Sequence, residues 1–160
     1  MKNSELLFNE YQNIKKQFRS TKLLGLKQTK LNETVLMYTI NTSTKNHFSK
    51  TISLLTRIDN HFVSHSAFVN KKYDYDVVDN ERETLYILDI KILGNENINK
   101  GYGTLIMDEI IKMGKKESCS SVTGNARPSD SYNKIRQNNF YKKYGFEFHE
   151  RRFIRLPLNN

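Results

Sequence analysis

The chain has 160 residues, one cysteine (Cys119) and no apolar run of membrane-spanning length, so the expectation is a single cytoplasmic domain over residues 1–160, with no internal disulfide and no membrane partner. Its formal charge of +9 and pI near 9.6 suit anionic ligands and admit nucleic acid. The basic residues fall in separate pairs (Lys15-Lys16, Lys71-Lys72, Lys115-Lys116, Lys142-Lys143, Arg151-Arg152), and zinc-ligand spacing, a ribonucleoprotein aromatic motif and a helix-turn-helix are all missing. A solvated lysine-rich surface accounts for much of the excess, and a basic nucleic-acid-binding module stands as the rival reading from another class.

Leu7, Tyr11, Ile14 and Phe18 recur at helical intervals and predict an amphipathic helix over residues 4–19, capped by Ser4 or Asn3 and packed on a sheet. Residues 23–31, with Gly25, Lys27 and Lys30, read as a connection. Extended runs follow at 34–42, 50–58 and 61–70, and Asp59-Asn60 predicts a tight turn that makes the last two a hairpin. Residues 73–83 hold Asp74, Asp76, Asp79, Glu81 and Glu83, a solvated loop in preference to a field that attracts a cationic amine.

Residues 84–93 (TLYILDIKIL) predict a strand that Gly94 closes. Alternation puts Leu85, Ile87, Asp89, Lys91 and Leu93 on one face and Tyr86, Leu88, Ile90 and Ile92 on the other. Asp89 is then a carboxylate in an apolar strand. Burial would raise its pKa toward the range of a general base, whereas a structural pairing with Lys91 or an arginine is the competing reading.

Residues 95–103 (NENINKGYG) form a polar turn ahead of a helix over 104–113, where Leu105, Ile106, Ile110 and Met113 keep helical spacing. The first amides of a helix have no partner within it, and the macrodipole adds partial positive charge there. Gly101 and Gly103 let backbone N–H groups approach a phosphate, and Lys100 adds a charge, so an anion is the expected ligand; the alternative is a turn that binds nothing. A Walker loop is excluded because Asn99 precedes and Gly101 follows Lys100, and a dinucleotide fingerprint is excluded by Ile106. Residues 117–124 read as extended. Ser129 or Asp130 then caps a helix toward Lys143, and residues 146–149 and 151–156 read as strands with His149 and Glu150 at their turn. Cys119 reads as a small buried residue rather than an acyl-carrying nucleophile.

The window Ile98-Asn99-Lys100-Gly101-Tyr102-Gly103, after a strand and opening a helix, resembles the acyl-CoA signature of the GNAT superfamily of acetyl-CoA-dependent N-acetyltransferases. That signature runs Gln or Arg, two residues, Gly, one residue, Gly or Ala; here Ile98 takes the Gln or Arg position and Asn99 the place where a first glycine is common. Phe140-Tyr141-Lys142-Lys143-Tyr144-Gly145-Phe146 resembles the family's C-terminal element, in which a helix ends at Gly-Phe and enters a strand. The resemblance covers roughly the C-terminal half. It implies an α/β, GNAT-like fold, with a mixed, mostly antiparallel central sheet flanked by helices and strands splayed at a cofactor cleft. Family members place one or two helices between the first two strands, where this chain has only residues 43–49 and the N-terminal helix as a substitute.

The resemblance also implies roles. Acetyl-CoA is the cosubstrate, its pantetheine arm bonded by the backbone of Lys91, Ile92 and Leu93 and its pyrophosphate held over Ile98, Asn99, Lys100, Gly101, Tyr102, Gly103 and Thr104. A cofactor-contacting asparagine is common seven positions before the tyrosine; that position is Lys134, and Asn133 or Asn138 compensates. Tyr141 is the general acid toward the departing CoA sulfur, and Asp89, or a water it holds, is the base. The implied activity is transfer of an acetyl or small acyl group to a primary amine, small molecule or peptide, by direct attack in a ternary complex, in a monomer or homodimer. A GNAT-like acyl-CoA binder without efficient turnover is the alternative that Ile98 and Lys134 suggest.

Overall fold

The computed structural model describes residues 1–73, 82–94, 97, 99–126 and 131–158. In chain order the elements are α1 (Asn3–Gln17), β1 (Thr21–Gln28), β2 (Thr34–Asn41), β3 (Ser49–Ile58), β4 (His61–Tyr73), β5 (Glu83–Lys91), α2 (Tyr102–Lys116), β6 (Ser121–Asn125), α3 (Ser131–Lys143), β7 (Glu147–Phe148) and β8 (Phe153–Pro157). The strands hydrogen-bond in the order β1-β2-β3-β4-β5-β6-β8-β7, a mixed eight-stranded sheet with helices flanking it. β5 and β6 pair in parallel, whereas β1–β2, β2–β3, β6–β8 and β7–β8 are antiparallel. The chain forms two compact units, Met1–Val69 with Asp89–Glu109, and Asn70–Leu88 with Ile110–Asn160.

In the first unit α1 packs on β1, β2 and β3. Leu7 and Tyr11 are buried among Leu36, Tyr38 and Leu55, with Phe8, Ile14 and Ile40 beside them. Burial of side chains of this size contributes about 1.5–3 kcal/mol each. Phe18 departs from the predicted face: it is the extended C-cap residue and is 48% exposed. The cap is also shifted, since Lys2 precedes the helix and its N–H donates to the Glu5 carboxylate at 3.1 Å, a role neither Asn3 nor Ser4 takes.

Residues 21–28 are strand β1, which takes in most of the stretch 23–31 predicted as a connection. A register shift between Leu23 and Gly25 leaves Leu24 unpaired, and Gly25 has φ +108°. This bulge breaks the two-residue period by which a strand is recognised. The predicted runs at 34–42, 50–58 and 61–70 are β2, β3 and the first part of β4. Asp59 and Asn60 have φ of 47° and 65°, the left-handed pair that a two-residue type I′ hairpin turn requires. Residues 43–49 carry no helix; a Thr44–His47 bridge closes the β2–β3 connection.

In the second unit α2 outlasts its predicted end, because Gly114 is a packing position and not a stop. A Cβ there would lie 2.9 Å from Leu158 Cδ1, 3.4 Å from Val122 Cγ2 and 3.8 Å from Leu85 Cδ2. Gly114→Val should therefore cost about 1–3 kcal/mol of unfolding free energy in urea titration. In Gly114→Ala, the flexible Leu158 can yield and the gain in helix propensity, about 1 kcal/mol, offsets the crowding. The helix closes with Ser118 at φ 56° and the Cys119 N–H returning to the Gly114 carbonyl at 2.9 Å. Residues 117 and 118 thus belong to a helix end, and β6 starts only at Ser121. Cys119 is fully buried, and burial pushes its thiol up to about 11, as suits a protonated core group.

Lys71 on β4 joins Glu83 on β5 (3.5 Å) to Glu117 after α2 (3.1 Å). Burial alone would lower this lysine's pKa, but the hydrogen bond to Glu117 and the two carboxylate charges carry it above the ordinary value. The acidic positions Asp74, Asp76, Asp79 and Glu81 lie outside the described residues, as do Arg127, Pro128, Ser129 and Asp130. α3 ends at Lys143 and is capped by Gly145, φ +88°, with N–H bonds from Gly145 to the Lys142 carbonyl (3.0 Å) and from Phe146 to the Tyr141 carbonyl (3.2 Å). A short 3-10 turn at Glu150–Arg152, with Arg151 and Arg152 at φ 55° and 63°, delays β8 beyond its predicted start.

Candidate functional site

The site lies where β5 gives way to α2, within the first unit. Leu93 follows the strand, and its N–H donates to His65 Nδ1 on β4 at 3.0 Å. The Leu93 carbonyl accepts from Asn97 Nδ2 at 2.8 Å, and Lys100 Nζ donates to Asn97 Oδ1 at 2.9 Å. Asn97 is buried, and its own N–H returns to the Gly94 carbonyl at 3.1 Å. One asparagine therefore fixes the strand end and the lysine that precedes the helix. Asn99 (φ 68°) and Gly101 (φ 96°) bring the chain round to α2, whose first bond runs from the Leu105 N–H to the Gly101 carbonyl at 3.2 Å. Besides this φ, a Cβ at Gly101 would stand 3.3 Å from Lys30 Cγ, in the loop between β1 and β2. The first turn of α2 carries no acidic side chain, which leaves the positive end of its dipole uncompensated from within.

Tyr102, the first residue of α2, is buried and sits face-on against His65, ring centroids 4.4 Å apart and planes 18° apart. Its hydroxyl donates to Glu33 Oε2 at 2.5 Å. Burial and the Glu33 carboxylate both push the phenol far above its ordinary pKa, so it remains a donor. His65 is fully buried; burial, and then the charge of Lys100, pull it down to about 4, so the ring is neutral at pH 7. Because Nδ1 accepts from Leu93, the ring proton resides on Nε2, and among the described residues nothing accepts it.

Of the residues expected to hold the cofactor, Asn99, Lys100, Gly101, Tyr102, Gly103 and Thr104 come together at the start of α2. Ile98 lies outside the described residues. Lys91 ends β5, with Ile92 and Leu93 beyond it. Both backbone groups of Leu93 are engaged within the chain, which restricts the expected pantetheine ladder to Lys91 and Ile92. The burial expected of Asp89 is overturned. Its side chain is 49% exposed and pairs with Lys91 at 3.7 Å, the competing arrangement. Leu85 and Ile87 are buried as alternation predicts, but the buried face of β5 stops at Ile87, where its ladder with β6 also stops.

Tyr141 lies in the second unit near the end of α3, buried, with Phe140 and Phe146 edge-on at centroid distances of 5.4 and 5.2 Å. Asn133 is on α3, its side chain outside those described. Sequence reading passed over His65, Asn97 and Glu33. A signal existed for the first, since His65 shares its strand face with Val63, Ala67 and Val69, and a histidine at such a position is a buried titratable group.

No family model, curated protein or solved structure matches the chain. Among the described residues no cluster of His, Cys, Asp or Glu could hold a metal ion, and no helix is long and apolar enough to cross a membrane.

Proposed function

We propose that the chain is a GNAT-type N-acetyltransferase that moves an acetyl or small acyl group from acetyl-CoA to a primary amine. The observation that carries this reading is the succession β5, glycine turn, α2 and parallel β6, in which the β5–β6 ladder runs from Thr84↔Ser121 to Ile87↔Gly124 and ends before β5 does at Lys91. A strand that outruns its ladder can take an added extended chain such as a pantetheine arm. The start of α2, with Lys100, suits the pyrophosphate that follows the arm.

In this reading the amine nitrogen attacks the thioester carbonyl, the C–S bond breaks, and Tyr141 gives its phenolic proton to the departing thiolate. The amine proton passes to solvent water, since Asp89, exposed and paired with Lys91, has the structural arrangement and not the buried one a general base would need. The engagement of Leu93 by His65 and Asn97 favours, as a second reading, an acyl-CoA binder with slow turnover. Calorimetric titration with acetyl-CoA, using 3′-dephospho-CoA and ATP as controls, tests the first step. Binding in about the micromolar range that prefers acetyl-CoA is expected. Absence of binding overturns both readings, and affinity for nucleic acid that falls steeply with salt would put the basic-module reading in their place. Release of free CoA across a panel of amines then separates an enzyme from a binder.

A further inference from the structure

The net charge of the chain is unevenly distributed. From Lys15 to Leu31 there are six basic residues (Lys15, Lys16, Arg19, Lys22, Lys27 and Lys30) and no acidic one, so this stretch holds +6 of the total +9. Exposed large hydrophobic side chains gather in the same stretch: Phe18 is 48% exposed, Leu23 37%, Leu26 40% and Leu31 62%. In the fold it runs from the last turn of α1 along β1, the strand at one end of the sheet order, and into the β1–β2 loop. One margin of the first unit is therefore apolar and cationic together.

The register puts two of these leucines on one face. Leu23 pairs with Tyr38 and Leu26 with Leu36, and the shift between Leu23 and Gly25 takes up the odd residue. Tyr38 and Leu36 pack against Leu7 and Tyr11 of α1, so Leu23 and Leu26 lie at the rim of the helix-bearing face. Phe18, with Lys15 and Lys16 in the last turn of α1, leads into one end of β1, and Lys30 and Leu31 follow its other end. Lys22 and Lys27, paired with Thr39 and Val35, project from the opposite face, and their long stems let the ammonium groups reach round the margin. Single exposed apolar side chains are ordinary, but a row of them among cations marks an interaction surface. Nucleic acid would engage the cations and leave the four apolar side chains without a counterpart. An anionic bilayer engages both, because apolar tips enter the acyl boundary while lysine and arginine meet the headgroups.

We propose that this margin is a peripheral membrane-binding surface that docks on anionic phospholipid, with Phe18, Leu23, Leu26 and Leu31 entering the interface and the basic residues meeting the headgroups. Such a contact needs no spanning segment. It departs from the sequence-based expectation of no membrane partner, which rested on the lack of a long apolar run, and it is independent of the acetyl-transfer reading.

Co-sedimentation of the full chain with phosphatidylcholine vesicles, with and without phosphatidylserine, tests it. Binding is expected only where phosphatidylserine is present, weakening as salt rises. Leu23→Ser combined with Leu26→Ser leaves the charge unchanged and should bind about tenfold or more weaker. Lys15→Glu combined with Lys22→Glu should abolish binding, whereas the same reversal at Lys115 and Lys116, exposed at the end of α2, should leave most of it. The chain has no tryptophan, so Leu26→Trp supplies a single emission that should shift to the blue on phosphatidylserine vesicles. Urea midpoints establish that each variant is folded; should the serine pair fail to fold, the tryptophan emission decides. Equal losses from the two charge reversals would assign the attraction to overall charge and overturn the proposal. So would undiminished binding by the folded serine pair, an unshifted tryptophan emission, or no binding to phosphatidylserine vesicles at all. Duplex DNA bound in place of vesicles, with the lysine dependence and without the leucine dependence, would make the margin a nucleic-acid surface instead.

Discussion

On the acetyl-transfer function proposed above, Tyr141→Phe is expected to lower kcat for amine acetylation by about 10²-fold or more, since a positioned general acid contributes roughly 10²–10⁴ in rate. The phenyl ring keeps the edge-on contacts to Phe140 and Phe146, so the helix end and its Gly145 cap should be undisturbed. The loss should therefore fall on kcat, with acetyl-CoA affinity close to wild type. Continuous detection of free CoA with a thiol reagent, beside a thermal melt, separates these quantities. Full turnover in a folded Tyr141→Phe protein would make the residue a member of the aromatic cluster and nothing more.

Acid should destabilise the first unit through His65. In the folded chain this histidine titrates near 4, against an ordinary value of 6.5, because burial, and then Lys100, disfavour the imidazolium. The unfolded state consequently binds more protons between those two values, and stability rises with pH across that window. The contribution is complete above about pH 6.5 and is lost as pH falls toward 4, to a total of about 3 kcal/mol. Carboxylates add their own acid dependence, so the quantity to measure is a difference. Urea unfolding of wild type and His65→Asn at pH 7.5 and pH 4.5 should show a steeper acid loss in the wild-type protein, by about 2–3 kcal/mol. Equal slopes would mean that the ring ionises freely in the folded state.

The part of the fold legible in advance is the part governed by short-range rules. Asp59-Asn60 specified its turn because few residues tolerate two successive positive φ angles. The stretch from β5 through Gly94 and Gly101 into α2 was readable because β-branched density, glycine and helical spacing succeed one another in that order. β1 escaped notice because its bulge at Leu24 and Gly25 disrupts alternation and its exposed Leu23 and Leu26 suggest no buried face. Asp89 was misplaced by extending the parity of Leu85 and Ile87 past the point where β5 loses its β6 ladder. The network around Leu93 needed contacts between residues far apart in the chain, His65 to Leu93 spanning 28 positions and Tyr102 to Glu33 spanning 69. Local pattern encodes where a glycine turn will be; which side chains will stand behind it is a property of the folded sheet.

The bulge in β1 has a bearing on how copies of this chain meet one another. β1 stands at one end of the strand order, with Leu23 and Leu26 exposed on it, and a straight strand so placed would be a template for sheet growth from molecule to molecule. Gly25 is free of crowding, nothing lying within 4 Å of a would-be Cβ, so its place is explained by the left-handed backbone that a bulge uses and not by lack of room. The resulting kink, with Lys22 exposed beside it, offers an incoming strand mismatched amides and a like charge. A bulge at such an edge is one of the devices by which a sheet disfavours pairing with a second molecule.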